Sequence, residues 1–321
     1  MSNPVASLAF TLPGDRPAAV RREWVVPGLI GLGDLVAVYG PPGGGKSALV
    51  ADLTVAVASG RGWFDRPIEV GAVLYMAAER RNVTDRRLVA MGGSGLPIGI
   101  VGPSVDLYGD GDAVGKITAT AEALSTATGA RCRVIVIDTL SRAAPSLDEN
   151  STKDAARLVD RLAKIAEATA ATVLFVTHET KSGTDLRGSS AILGAVDLAL
   201  RVTGKKTRTA EVIKANDSAT GERLTFDLVP TEDGAAVTVK PAGALKATPA
   251  ATLPPDARRA LDALRSLGGT ADVEALRVAF YDTKPAATPD AKRRAFHDVR
   301  KRLNAAGLII ETENTVSVSS A

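Results

Sequence analysis

Up to about Pro230, short β-branched runs alternate with longer amphipathic stretches, the pattern of a parallel sheet joined by crossover helices. The runs Leu35 to Tyr39, Val73 to Met76, Val134 to Ile137 and Thr172 to Thr177 are apolar throughout, which fits strands covered on both faces. Ser151 stands three residues ahead of Asp154 as a helix-start capping pair, and Ala155, Leu158, Val159, Leu162 and Ile165 follow at helical spacing. After Arg201 the pattern shortens to alternating strands, Thr209 to Lys214, Leu224 to Val229 and Ala236 to Lys240, separated by turn-rich segments such as Asn216 to Gly221. That predicts an antiparallel extension of the sheet.

Residues 241–254 are rich in Ala and Pro and have no period, so they read as a linker. Beyond it, a helix over Ala257 to Leu267 places Ala260, Leu261, Leu264 and Leu267 on one face. A second helix near Val273 to Phe280 and a third from about Asp290 to Ala306 follow, with Gly307 at the cap position. Leu308 to Glu311 and Thr315 to Val318 flank Thr312-Glu313-Asn314 as a hairpin. Three helices and a hairpin make a small winged helix-turn-helix domain over 255–321. Its third helix turns Phe296, Val299 and Leu303 inward and carries Lys292, Arg293, Arg294, Arg300, Lys301 and Arg302 against only Asp290 and Asp298. Such a face suits phosphate contact beside a groove-inserted helix; a solvated basic face or a protein-binding winged helix is the alternative. His297 reads as a surface residue of that helix, and two histidines with one cysteine offer no zinc set.

Composition narrows this picture without redirecting it. At 321 residues, 45% apolar and 23% charged, the chain has the length for about two domains. The single cysteine excludes a disulfide framework, and Cys132, in an apolar run ahead of a strand, reads as a small core residue. A reducing, cytoplasmic setting is expected. No apolar stretch approaches the roughly 20 residues of a membrane span, and the first residues lack a charged segment followed by an apolar run. Residues 1–23 read as a flexible arm. A net charge of +3 permits a polyanionic partner without demanding one.

The strongest chemical signal is Gly40-Pro41-Pro42-Gly43-Gly44-Gly45-Lys46-Ser47, which follows a predicted strand and opens the apolar helical stretch Ala48 to Ala58. Glycines let the backbone wrap closely enough for its N–H groups to hold phosphate oxygens, at a helix N-terminus whose dipole favours an anion. Lys46 adds a point charge at the β- and γ-phosphates of ATP, and Ser47 offers a hydroxyl to Mg²⁺. An acid at the tip of a neighbouring buried strand completes such a site by holding Mg²⁺ through water, and Asp138, ending Val134-Ile135-Val136-Ile137, supplies it. Glu79, after the strand Val73 to Ala77, is the candidate carboxylate for orienting water; a surface glutamate starting a helix is the other reading. His178, after the strand Thr172 to Val176, is a candidate γ-phosphate sensor, or else a strand-end histidine satisfied by a nearby carbonyl.

Taken in order, GPPGGGKS, LYMAAE, VIVIDTLSR, VLFVTHETKSG and RGSSAI resemble the RecA-like ATPases related to plasmid RepA-type hexameric replicative helicases, within the wider KaiC and RecA-like group, over roughly Trp24 to Pro230. The resemblance implies an α/β RecA-like P-loop core over 24–240, with Glu79 catalytic and His178 the sensor. It further implies a homo-hexameric ring with ATP between subunits, and single-stranded DNA in a basic pore. The loop after the sensor would place Lys181 and Arg187 near nucleic acid; solvated loop charges or, for Arg187, a subunit-interface role are the alternatives. One departure matters. Where RepA-type helicases carry an arginine finger this chain has Gly194-Ala195-Val196-Asp197, and where related ring ATPases carry a Lys-x-Arg pair it has Lys214-Ala215-Asn216. Arg201 and Lys214 are the candidates for a trans-acting cation. The expected function is a DNA-dependent ATPase, a replicative helicase of a plasmid, phage or mobile element. The alternatives are a KaiC-like regulator that binds ATP and DNA without unwinding, and a DNA-binding module in which ATP only drives assembly.

Overall fold

The computed structural model describes residues 22–148, 151–180, 186, 190–242, 255–284, 288–305, 309–311 and 315–318. The chain divides into two compact units, Met1–Ala242 and Gly243–Ala321.

The first unit opens with a two-stranded antiparallel ribbon, β1 (Trp24–Val26) and β2 (Ile30–Gly31). Then come β3 (Leu35–Tyr39), α1 (Lys46–Ser59), β4 (Ala72–Ala77), α2 (Arg81–Ala90), β5 (Ile98–Val101), α3 (Ala113–Thr128), β6 (Cys132–Asp138), α4 (Leu140–Ala143), α5 (Thr152–Thr169) and β7 (Thr172–Val176). They are followed by α6 (Ser190–Ala195), β8 (Leu198–Gly204), β9 (Thr207–Ala215), β10 (Arg223–Pro230) and β11 (Val237–Pro241). A nine-stranded sheet runs β11-β10-β9-β8-β3-β7-β6-β4-β5. It is parallel from β8 to β5 and antiparallel from β8 out to β11, as the change of pattern after Arg201 predicts.

The apolar runs are continuous because the sheet has a core on each face. Val36, Val38, Val73, Tyr75, Val134, Val136, Leu174 and Val176 face one way with α1. Leu35, Ala37, Leu74, Met76, Ile135, Ile137, Val173 and Phe175 face the other with α3, α5 and α6. Each fully buried large side chain contributes about 1.5–3 kcal/mol. Helix α1 is buried on nearly every side, which is why its sequence is apolar rather than amphipathic. Helix α5, with one wet face, keeps Ala155, Leu158, Leu162 and Ile165 inward, and the Ser151 hydroxyl accepts from the Asp154 N–H at 3.2 Å as its cap. Two strands of the nine-stranded sheet are not evident in the apolar pattern: β8, where Arg201 breaks the run, and the short half-buried β5. Cys132 is buried and begins β6 rather than preceding it.

The second unit comprises α7 (Pro255–Ser266), β12 (Thr270–Asp272), α8 (Val273–Asp282), α9 (Pro289–Ala305), β13 (Ile309–Glu311) and β14 (Thr315–Val318), with its strands in the antiparallel order β12-β14-β13. Leu261, Leu264, Leu276, Phe280, Phe296, Val299, Leu303, Ile309 and Val316 form its core. Leu267, expected on the inner face, is 39% exposed because α7 ends one residue before it. Strand β12 adds a third member to the expected hairpin, and Asp272 accepts from the Ala275 N–H at 2.7 Å to cap α8. Gly307 and Thr312 to Asn314 lie outside the described residues. Among the described residues no helix is long and apolar enough to cross a membrane.

Candidate functional site

Between the last residue of β3 and the first of α1 the chain turns through Gly40–Gly45. Two glycines here are required by geometry. Gly40 has φ +146°, and a Cβ on it would lie 2.1 Å from the Val202 carbonyl oxygen of β8. Gly45 has φ +94° and is the N-cap of α1. The Lys46 side chain is 5% exposed and folds back over this loop, its Nζ donating to the carbonyls of Gly40 at 3.0 Å and Pro41 at 2.8 Å. Burial draws its ammonium pKa down, and the carboxylates of Asp138, Glu179 and Glu79 oppose that. A desolvated cation held by carbonyl oxygens, beside a loop of N–H groups, can receive a more charged acceptor such as a phosphate.

The sheet brings the acids to the same place. In the register of β4 and β6, Ala77 lies opposite Asp138, so residues leaving both strand ends meet above α1's N-terminus. Asp138 is 6% exposed; its Oδ1 accepts from the Ser47 hydroxyl at 3.0 Å and its Oδ2 from the Tyr75 hydroxyl at 2.8 Å. Burial raises its pKa, opposed by the hydrogen bonds of Tyr75 and Ser47 and the Arg87 charge, while Glu79 adds to the rise. Glu79 is 39% exposed in its side chain, with the Arg80 Nε at 3.8 Å. His178 follows β7, the strand lying between β3 and β6, and is half-buried.

One cleft of about 400 Å³ is lined by Pro42 to Ala48 together with Glu79, Asp138, Thr139 and His178. Val83, Thr84 and Arg87 of α2, Leu228 of β10 and Val237 of β11 also line it. These last residues were missed in the sequence. Arg87 follows Val83 and Thr84 on α2 by four and three residues, a spacing that puts the three on one face of that helix; Leu228 and Val237 carry no signal beyond strand periodicity. Ser47 and Asp138 are oxygen donors 3.0 Å apart, and this donor set fits Mg²⁺, which takes one or two protein oxygens and completes its shell with water and substrate phosphate.

The remaining candidates fall elsewhere. Arg201, on β8, is ion-paired with Glu179 at 3.2 Å. Lys214, on β9, directs its Nζ at the carbonyls of Leu193, Gly194 and Val196 at 3.2, 2.6 and 2.7 Å, at and just beyond the C-terminal end of α6. Asn216 donates its side-chain amide to Asp197 at 2.9 Å. Lys181 and Arg187 lie outside the described residues. In the second unit Arg293 and Arg294 are exposed on α9, Arg300 lies 5.5 Å over the Phe296 ring and Lys292 5.9 Å over the Tyr281 ring. Lys301 belongs to α9, with its side chain outside the described residues.

Two solved structures give the fold's likenesses. One is the ATPase domain of a protein named G40P, at 15% identity and TM-score 0.47, covering 64% of this chain and 84% of that one. The other is a DnaB-like replicative helicase, at 13% identity and TM-score 0.47, covering 64% of this chain and 57% of that one. No curated protein matches the chain. The model of the AAA domain family matches residues 11–184, more than half of the chain, and takes in the phosphate loop, Glu79, Asp138 and His178. With that match, over more than half of its residues, the chain belongs to the AAA domain family.

Proposed function

We propose that the chain is an ATP-hydrolysing ring ATPase of the replicative-helicase type that acts on DNA. The observation that carries the ATPase reading is the convergence of Lys46, Ser47, Asp138 and Glu79 on one cleft, a cation, a pair of oxygens that fits a metal and a half-exposed carboxylate around a glycine-rich loop. Ser47 and Asp138 would hold Mg²⁺, which would supply positive charge against the phosphate oxygens. Lys46 leaves the Gly40 and Pro41 carbonyls for the phosphate tail, and the loop's N–H groups hold the remaining oxygens. Glu79, half open to solvent and lining the cleft, orients a water and accepts its proton as that oxygen attacks the γ-phosphorus and the bond to the β,γ-bridging oxygen breaks, so that ADP leaves with the electron pair. His178 donates a hydrogen bond to the γ-phosphate and reports its loss to the loop that follows.

DNA enters the reading through charge. The second unit, taken as a winged helix, offers Arg293 and Arg294 exposed on α9, with Arg300 and Lys301 on the same helix, for phosphate contact. Lys181 and Arg187 are proposed for the pore of a hexameric ring. A KaiC-like regulator without unwinding activity is the second reading, and one observation favours it: Lys214 and Asn216 are engaged by their own chain at the positions where related ring ATPases present a trans-acting pair. Phosphate release measured with and without single-stranded DNA, beside strand displacement on a forked duplex, decides between them. Stimulation with displacement is expected; turnover without either selects the regulator, and absence of turnover removes the ATPase reading.

A further inference from the structure

We infer that Tyr75 is a positioning residue of the metal site, its hydroxyl holding one oxygen of Asp138 so that the other stays with Ser47 at the cleft. This rests on the ATPase reading above. The geometry begins in the sheet. Tyr75 on β4 lies opposite Val136 on β6, and Asp138 is two residues further along the same face. That diagonal offset across two adjacent parallel strands is a gap that a long aromatic side chain spans and a short one does not. Tyr75 is 0% exposed, and its hydroxyl reaches Asp138 Oδ2 at 2.8 Å while Ser47 holds Oδ1 at 3.0 Å.

A carboxylate can turn about its last bond, and each orientation presents different lone pairs to a metal. With Oδ2 fixed by Tyr75, the Asp138 carboxylate has one orientation, and Oδ1 and the Ser47 oxygen stay together as a pair. Partners that orient a ligand without touching the metal typically cost about 10–100-fold in metal affinity when removed. A tyrosine serving only as core filler would cost stability instead, since Tyr75 also packs with Val73, Val134 and Val136.

The variant Tyr75→Phe keeps the ring and removes the hydroxyl. Binding of a fluorescent, non-hydrolysable ATP analogue to the full chain is measured in EDTA and over a series of buffered free Mg²⁺ concentrations. The expected result is unchanged affinity in EDTA and a midpoint of the Mg²⁺-dependent rise moved up by about 10–100-fold. In an Asp138→Asn background the same substitution should add nothing, because Tyr75 acts through that carboxylate. An unmoved midpoint, or an equal further shift in the Asp138→Asn background, overturns the inference while leaving the ATPase reading intact. Wild-type protein that binds no nucleotide, or Lys46→Ala protein that binds it normally, removes both. If Tyr75→Phe does not fold, the wild-type protein answers by NMR. A slowly exchanging Tyr75 hydroxyl proton whose shift moves when Mg²⁺ joins the nucleotide complex is expected, and an unmoved signal overturns the inference.

Discussion

Replacing Lys46 by alanine separates the two things this buried cation does. Its ammonium is desolvated at 5% exposure and tied to the Gly40 and Pro41 carbonyls. Facing one unit of phosphate charge at about 4 Å, in an effective dielectric of about 20, it contributes about 4 kcal/mol. Against that, two hydrogen bonds to carbonyls are given up, at a net of about 1 kcal/mol each. About 2 kcal/mol remains per unit of phosphate charge, which corresponds to a loss of roughly thirtyfold or more in ATP affinity. The fold should hold, because the change also removes a charge that burial disfavours, so the melting temperature without ligand should move by only a few degrees. Isothermal titration with Mg²⁺-ATP, beside thermal melts of both proteins, measures each term. Affinity within threefold of wild type in a folded Lys46→Ala protein would refute the placement of the phosphate tail, and a collapse of the melt would show that Lys46 is needed for the loop itself.

Two further outcomes follow from the same geometry. Glu79→Gln should bind ATP nearly as the wild type does while phosphate release falls by about 10²–10⁴-fold; retained turnover would move the role of base to another group. Cys132, whose thiol burial pushes up to about 11, should resist alkylation by iodoacetamide in native protein at pH 8, where about one thiol in a thousand is ionised, and react readily once the chain is unfolded. Equal labelling rates in the two states would show that β6 does not enclose it.

Much of the site is legible in sequence for a physical reason: the phosphate loop is a local structure. Six residues between a strand and a helix must turn sharply enough to need glycine, and Gly40, with no room for a Cβ beside Val202, shows why. Asp138 and Glu79 are legible as acids ending apolar runs, because a strand buried on both faces has to surface at its end. The cap of α5 is legible for the same local reason, Ser151 and Asp154 being three residues apart. The antiparallel extension after Arg201 shows in alternation, whereas β8 does not, since its Arg201 interrupts the run and its place beside β3 is set by pairing.

What tertiary structure alone decides is which distant residues become neighbours. The order β3-β7-β6-β4 puts four strand ends together, and the register of β4 on β6, rather than any spacing in the chain, carries the Tyr75 hydroxyl to Asp138, 63 residues away. Arg87, Leu228 and Val237 reach the cleft, and Lys214 reaches the carbonyls at the end of α6, by the same packing. A sequence specifies which face of a strand is buried, because burial repeats every second residue. It leaves open which strand lies alongside and in what register, because those depend on how two apolar faces, remote in the chain, fit one another.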